Sequence, residues 1–428
     1  MQKVIILTLA LTVWVGWAYA QKISKEENSI LKAVDKNNAA SIQFLEETVN
    51  INSGTQNVEG VKKTGALYKK MLDEMGFITK WITMPADMKR GGHLIAEIKG
   101  NKGKRLLLIG HIDTVFEPSS PFQKWTQKDS IAIGPGTSDM KGGNMVMLYA
   151  LKALHETGQL KDRQIIVVLH GDEENPGNPL ELSRKDIVEL AKRSDIALAF
   201  EPGTGLDYAT IARRGSSGWE LHVTGKQAHS SSIFTKETGA GSVYETARIL
   251  NRFYTELQEP LLTYNVGLIL GGTEVKMAPS TIEGQALGKT NLVPNTTIVE
   301  GDLRCISNEQ LQRTRAKMKA IVAEHLPITQ AEITFEDGYP SMPPTEGNRS
   351  ILGVLSQVSQ DLGQGEVKAW DPGKRGAGDI AFVAEYVNGL DGLGLLGGNA
   401  HANDEFVYLS SIPTLVKRSA LLMYRLTK

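Results

Sequence analysis

The sequence predicts an α/β protein: a principal domain on a mixed, mostly parallel sheet, interrupted by a ferredoxin-like β-α-β-β-α-β domain. Three observations predict it. Leu106 to Ile109 and Ile165 to Leu169 are continuous apolar runs, the mark of strands buried on both faces. Between them a helical pattern runs from near Lys141 toward Leu154, which completes a β-α-β unit. Runs at Ile196 to Phe200 and Leu393 to Leu396 read as further core strands, yet almost two hundred residues of different pattern separate them.

The chain starts Met1-Gln2-Lys3, continues with an apolar run from Val4 to Val15, and reaches Ala18-Tyr19-Ala20. A basic start, an apolar middle and small residues at minus three and minus one predict a signal peptide over residues 1–20, cut after Ala20. The run is shorter than the ~20 residues that span a bilayer. Gln21, not Cys, would follow the cut, so no lipid anchor is expected. The expectation is a periplasmic or secreted protein with no membrane attachment after cleavage. Cys305 is the only cysteine, so export brings no internal disulfide.

With 47 Lys plus Arg against 48 Asp plus Glu, the charge is balanced, which argues against nucleic acid or anionic membrane as partner. A small-molecule substrate is expected instead. The 428 residues favour two compact domains over one.

Glu26 to Val49 has spaced apolar residues that suit a surface helix packed on one face, and Leu94 to Ile98 alternates like an edge or half-buried strand. From about Arg213 to Gly338 the pattern becomes strand (Trp219 to Thr224), helix (Val243, Ala247, Leu250, Tyr254 and Leu257 on one face), two strands, helix and strand. Ser307 and Gln310 mark the start of the second helix as a capping box. Tyr339-Pro340-Ser341-Met342-Pro343-Pro344 reads as a stiff crossover, since consecutive prolines join neither helix nor central strand. The expected division is residues 21–212 and 339–428 for the principal domain and 213–338 for the inserted one.

Several apolar strands each end in residues able to bind metal. Leu106 to Ile109 leads to His111 and Asp113, Ile165 to Leu169 leads to Glu173 and Glu174, Ile196 to Phe200 leads to Glu201, and Leu393 to Leu396 leads to His401. Ligands bind at the carboxyl ends of strands in open α/β sheets. Asp139 lies in the glycine-rich loop from Gly136 to Gly143 that opens the crossover helix, so its carboxylate is expected to face the same crevice. Imidazoles and carboxylates without cysteine suit Zn²⁺, or Co²⁺ or Mn²⁺. Asp113, two residues after His111, is placed to accept from the imidazole and fix its tautomer. Alone, each of these residues reads as a loop or solvated group; their recurrence at successive strand ends predicts a metal centre.

These motifs, Leu108 to Phe116, Gly136 to Gly143, Gly171 to Glu174, Glu201-Pro202-Gly203 and a late His401, resemble the aminoacylase, glutamate carboxypeptidase and succinyl-diaminopimelate desuccinylase family of zinc metallopeptidases. The resemblance spans essentially the whole mature chain. It implies two Zn²⁺ per subunit, one held by His111, Asp139 and Glu201 and the other by Asp139, Glu174 and His401. Asp139 would bridge them, with a cis peptide following it. Glu173 matches the family's catalytic acid/base, and Asp113 belongs to the same catalytic group. The inserted domain looks like that family's lid and dimerisation domain, which implies a homodimer.

Within that domain Asn291 and Arg304 resemble residues that hold a substrate carboxylate, and His229 resembles the histidine that reaches a neighbouring subunit's site. Gly376-Ala377-Gly378-Asp379 resembles the family's glycine-rich loop, where bare glycines let backbone amides approach an anion. The implied activity is hydrolysis of an amide bond next to a free carboxylate, by a carboxypeptidase or an N-acyl-amino-acid amidohydrolase. A dipeptidase, a dedicated deacetylase or desuccinylase, and a non-catalytic metal-dependent binding protein are the alternatives. Phe335-Glu336-Asp337-Gly338 is acidic, whereas a glutamate side-chain pocket calls for a cation; Lys374 and Arg375 are candidates to supply it. His93, His155, His170, His222 and His325 have no motif around them and read as structural or surface residues.

Overall fold

The computed structural model describes residues 23–278 and 283–428. The expected signal peptide, residues 1–20, lies outside them. Among the described residues no helix is long and apolar enough to cross a membrane.

The main sheet has six strands: β1 (Ile78–Ile82), β2 (His93–Ile98), β3 (Lys102–His111), β4 (Arg163–His170), β5 (Ile196–Ala199) and, far downstream, a strand at Asn388–Leu390. Their spatial order is β1, β2, β4, β3, β5 and the late strand. β4 runs parallel to β3, β3 to β5, and β5 to the late strand, while β1 and β2 are antiparallel additions. The mixed, mostly parallel sheet expected from the sequence is thus present. Two details differ. Leu94 to Ile98 does not form the edge, because β1 covers it on the outside. The late strand is Asn388–Leu390, not Leu393 to Leu396. The latter segment is largely buried but makes only an isolated bridge, Gly203 with Leu396, and bonds to distant chain: Gly203 N donates to Leu395 O and Gly394 N to Glu201 O, each at 3.0 Å.

The continuous apolar runs are explained by burial on both faces. Leu106, Leu108, Ile165, Val167 and Leu198 point into one core, beneath helices α1 (Lys25–Val49), α2 (Val58–Glu74) and α3 (Gly142–Glu156) and the C-terminal helix Ile412–Leu426. Leu107, Ile109, Ile166, Val168 and Ala197 point the other way, onto Ile187, Ile380 and Val383. Alternation sends successive side chains to opposite faces, and here neither face meets water.

The inserted module carries β6 (Gly215–Gly225), helix α4 (Gly241–Glu256), β7 (Thr263–Gly272), β8 (Thr296–Cys305), helix α5 (Asn308–Ala323) and β9 (Thr329–Asp337). Its antiparallel sheet has the order β7, β8, β6, β9. One face is apolar: Trp219, Leu221, Val223, Val299 and Leu303 meet Ile249, Phe253, Met318 and Ile321 of the two helices. A short antiparallel pair, Glu274–Met277 with Gly284–Leu287, adds two strands that the sequence pattern did not single out.

The module joins the principal domain through two crossovers that lie side by side. Arg213 N donates to Met342 O and Met342 N to Arg213 O, each at 2.9 Å, and Ser216 N donates to Tyr339 O at 2.8 Å. Beyond the second crossover α6 (Glu346–Asp361) returns to the main sheet.

Candidate active site

Strand ends and the loop before α3 bring five side chains into one crevice. His111 ends β3, Glu174 follows β4, Glu201 follows β5, and His401 follows the short bridge at Gly397–Gly398. Asp139 lies between them. His111 Nε2 is 3.1 Å from Asp139 Oδ1 and 3.7 Å from Glu201 Oε1. His401 Nε2 is 3.3 Å from Asp139 Oδ2 and 3.1 Å from Glu174 Oε2. Each trio, His111-Asp139-Glu201 and Asp139-Glu174-His401, offers ligand atoms within 4.8 Å of one another. Asp139 is common to both and turns a different oxygen to each. The Asp139–Met140 peptide is cis.

The donor chemistry fits divalent cations. The two trios set three carboxylates, Asp139, Glu174 and Glu201, against two imidazoles. Glu174 Oε1 is buried with no hydrogen-bond partner, an orphan that a cation would satisfy. Mixed nitrogen and oxygen donors suit a borderline divalent ion. His401 also holds a left-handed backbone, with φ at 68°, a conformation that costs a non-glycine residue about 1–3 kcal/mol.

Protonation equilibria report the same crowding. Burial, with the nearby charge of Asp139, pushes the Glu201 carboxyl up to about 7 against the pull of His111 and Arg213. Burial and the carboxylates of Asp379, Glu201 and Glu174 hold Glu173 well above its ordinary value, although His111 opposes them. Hydrogen bonds to Asp139 and Glu174 raise His401 to about 11. Burial works against a charged His111, yet Asp113, Asp139 and Glu201 outweigh it and raise the imidazole.

Asp113 is fully buried and differs in part from the sequence expectation. His111 Nδ1 lies 3.1 Å from the Asp113 main-chain oxygen and 3.4 Å from its carboxylate. The carboxylate accepts mainly from Thr55 Oγ1 at 2.6 Å and from the amides of Glu173 and Glu174 at 3.0 and 3.1 Å. It therefore orients the peptides of both acids as well as the histidine beside it.

The remaining expected residues are placed as follows. His229 and Asn291 meet in the module: their segments bridge at His229 and Leu292, and Ser230 N donates to Asn291 O at 2.9 Å. Arg304 sits on β8 with its Nε on Asp302 Oδ2 at 2.8 Å. Among the described residues no hydrogen bond or ion pair joins these three to the metal trios. In the loop at Gly376 and Gly378 the carbonyls hold a guanidinium: Arg213 Nη1 donates to Gly376 O at 3.0 Å and to Ala377 O at 2.5 Å. A Cβ on Gly378 would lie 2.9 Å from Arg213 Cζ, so glycine there makes room for a guanidinium. Of the two candidate cations, Arg375 reaches the crevice, with Nη2 on Pro202 O at 2.9 Å beside Glu201, whereas Lys374 lies over Trp370.

The sequence reading missed three supports. Glu405 accepts from the amides of Ser138 at 2.7 Å and Asp139 at 2.9 Å. Arg213 is 4% exposed, pairs with Asp391 and lies 3.8 Å from Glu201 Oε2. His93 and His170, read as structural or surface, are both fully buried; His170 joins a network in which Asp379 binds it and Arg184, and Arg184 Nη1 binds Asp172 at 2.8 Å. The only available signal was the density of Arg and Asp in otherwise apolar surroundings.

The sequence profile described as Peptidase family M20/M25/M40 matches residues 107–425. Carboxypeptidase G2 of Pseudomonas sp. (strain RS-16) is 28% identical over 420 residues, covering 95% of this chain and 94% of that protein. Succinyl-diaminopimelate desuccinylase of Dechloromonas aromatica (strain RCB) is 24% identical over 338 residues, 74% of this chain and 82% of its own length. Among solved structures, aminopeptidase PepT from Bacillus cereus ATCC 10987 superposes with a TM-score of 0.73 at 18% identity, over 92% of this chain and 99% of that one. YXEP of Bacillus subtilis, described as a dinuclear metal binding peptidase from the M20 family, gives a TM-score of 0.62 at 15% identity, over 92% and 99%. The two structures show a shared fold, and the profile spans well over half of the sequence. An α/β sheet ending in two joined metal trios, on a chain matched over that length, makes this protein a metallopeptidase of family M20/M25/M40.

Proposed function

We propose that the chain is an exported, two-zinc hydrolase that cleaves an amide bond next to a free carboxylate, acting on small peptides or N-acyl amino acids. The observation that carries this reading is the pair of trios sharing Asp139, with Glu173 adjacent in sequence to one of their members. When bound, a pair of divalent cations polarises the scissile carbonyl and lowers the pKa of water toward ~7. Glu173 accepts a proton from the attacking water at a carboxylate oxygen and gives it to the leaving nitrogen. Its own amide is pinned by Asp113, which sets where the side chain starts. Glu174, with Oε2 on His401, has the separate task of holding a cation.

Arg304, Asn291, His229 and the loop at Gly376 to Gly378 are the proposed receptors of the substrate carboxylate. Arg304 suits that role because a planar guanidinium grips a carboxylate at two points. Their distance in bonding from the trios is understood if a partner subunit supplies some of them. Homodimerisation through the module is supported by β7, an edge strand that exposes Val266 and Ile269, and by the exposed Tyr244 and Tyr254 of α4. Sedimentation that returns a monomer at micromolar concentration would remove this part. Export rests on the pattern of residues 1–20, and it favours scavenging over a biosynthetic deacetylase or desuccinylase.

The experiment is hydrolysis of a panel of N-acyl amino acids and dipeptides, with and without chelator, by the unaltered chain and Glu173→Gln. The variant should keep its metal and lose about 10²–10⁴-fold in kcat. Equal rates in the two proteins contradict the assignment of the base.

A further inference from the structure

The hydroxyl of Tyr339 donates to the main-chain oxygen of Glu173 at 2.8 Å and accepts from Arg184 Nη2 at 2.8 Å. Tyr339 stands two residues past β9, inside the crossover that returns the chain from the module. Its own main chain is bonded to the other crossover: Tyr339 N donates to Ser216 Oγ at 3.3 Å, and Tyr339 O accepts from Ser216 N at 2.8 Å. One residue therefore touches both connections to the module and the peptide that carries Glu173.

The two ends of the Glu173 residue are held by different parts of the protein. Its N–H is held by Asp113, which belongs to the end of β3, whereas its C=O is held from the crossover. Arg184 backs the phenol and is itself fixed by Asp172 and Asp379, so the hydroxyl has a rigid donor behind it. The Tyr339 ring packs edge-on against Phe382, with centroids 4.9 Å apart. The crossovers themselves border a cavity of about 630 Å³, lined by Ser216, Cys305, Tyr339, Pro340 and Ser341. Packed interfaces move between discrete arrangements, and space beside the connecting strands is what such a shift requires.

We propose that Tyr339 is a positioning residue that makes the placement of Glu173 depend on the setting of the inserted module. When the crossovers take the arrangement seen here, the phenol fixes the Glu173 carbonyl and the base is held in place. When they shift, that bond breaks and the peptide is released at one end. A displacement of about 1 Å at a reacting group costs on the order of 10²-fold in rate, so the bond is a sufficient control. The inference rests on the reading of Glu173 as the base.

The test compares metal-loaded unaltered protein with Tyr339→Phe, Phe382→Leu and Glu173→Gln, measuring kcat, KM, bound metal and Tm. Tyr339→Phe keeps the ring and removes the bond; kcat should fall about tenfold or more with KM nearly unchanged, as for an interaction that matters in the transition state. Its metal content should equal that of the unaltered chain. Phe382→Leu removes packing from the ring but keeps the phenol and its bonding groups, and should lower Tm while costing far less kcat than Tyr339→Phe. The proposal is overturned if Tyr339→Phe keeps full kcat, or if Phe382→Leu loses as much kcat. If the unaltered chain has no turnover sensitive to Glu173→Gln, the reading of Glu173 fails, and this inference with it.

Discussion

Glu405 Oε1 accepts the amide hydrogen of Asp139 at 2.9 Å, joining residues 266 positions apart. The same oxygen takes the amide of Ser138 at 2.7 Å, and Oε2 faces the amide of Gly136 at 3.3 Å. The loop that aims the shared aspartate is therefore organised around one buried carboxylate. Glu405→Gln keeps the shape but turns an N–H₂ group toward an N–H. Loss of such a supporting contact costs about 10–100-fold in metal affinity. Titration with Zn²⁺ under competition by a chelator should show that loss, and an unchanged affinity would show that the loop holds its form without Glu405.

Removing metal should destabilise the protein. Without cations, three carboxylates crowd around two imidazoles, and burial of unpaired charge is unfavourable. Chelator should lower Tm, and Zn²⁺, Co²⁺ or Mn²⁺ should restore it. A free ion at a thousand times its Kd contributes about 4 kcal/mol. Identical melting curves with chelator and with each ion would contradict binding at these residues.

Two glycine replacements should act in opposite directions. A Cβ on Gly143 would stand 1.8 Å from the main-chain oxygen of Phe200, so Gly143→Ala must push α3 away from the strand end that carries Glu201. Overpacking of this kind costs about 1–3 kcal/mol, and metal affinity should fall with it. Gly353, inside α6, has nothing within 4 Å of an added Cβ. There alanine should stabilise by about 0.5–1 kcal/mol through helix propensity. Denaturant midpoints for both variants check the pair.

Acid should expose the tie between the first and last helices. Arg425 Nε binds Glu27 at 2.7 Å and its Nη1 binds Asp361 at 2.6 Å. Burial pushes the Glu27 carboxyl up, but the bonds to Arg425 and to the Ser24 amide outweigh it and leave the value below the ordinary 4.5. The folded chain thus holds this proton less tightly than the unfolded chain does. The group's contribution is complete above pH 4.5 and disappears as pH falls through the folded value. The Tm difference between the unaltered chain and Glu27→Gln should be constant from pH 5 to 7 and narrow below 4.5. A difference that widens in acid would reverse the sign of the argument.

Much of this architecture was legible because burial on both faces writes itself as unbroken apolar runs. Leu106 to Ile109 and Ile165 to Leu169 are the central strands for that reason, and metal-capable residues just past their ends stand out against them. What stayed hidden has no periodicity. β1, with Ile78 exposed and Lys80 within it, carries little apolar signal. Leu393 to Leu396 is buried as a strand would be, yet it forms only an isolated bridge with Gly203, and composition does not distinguish the two cases. Glu405, Arg213 and Tyr339 act through contacts across more than a hundred residues, which no local pattern announces. The loop at Gly376 and Gly378 also holds the Arg213 guanidinium on its carbonyls, a contact that the glycines alone do not announce.

The long excursion between β5 and the strand at Asn388–Leu390 also sets a timetable for biosynthesis. His401 is made long after Asp139 and Glu174, and the second trio does not exist until it has been. A nascent chain therefore carries the acids of its own cutting machinery for most of its synthesis without the ability to use them.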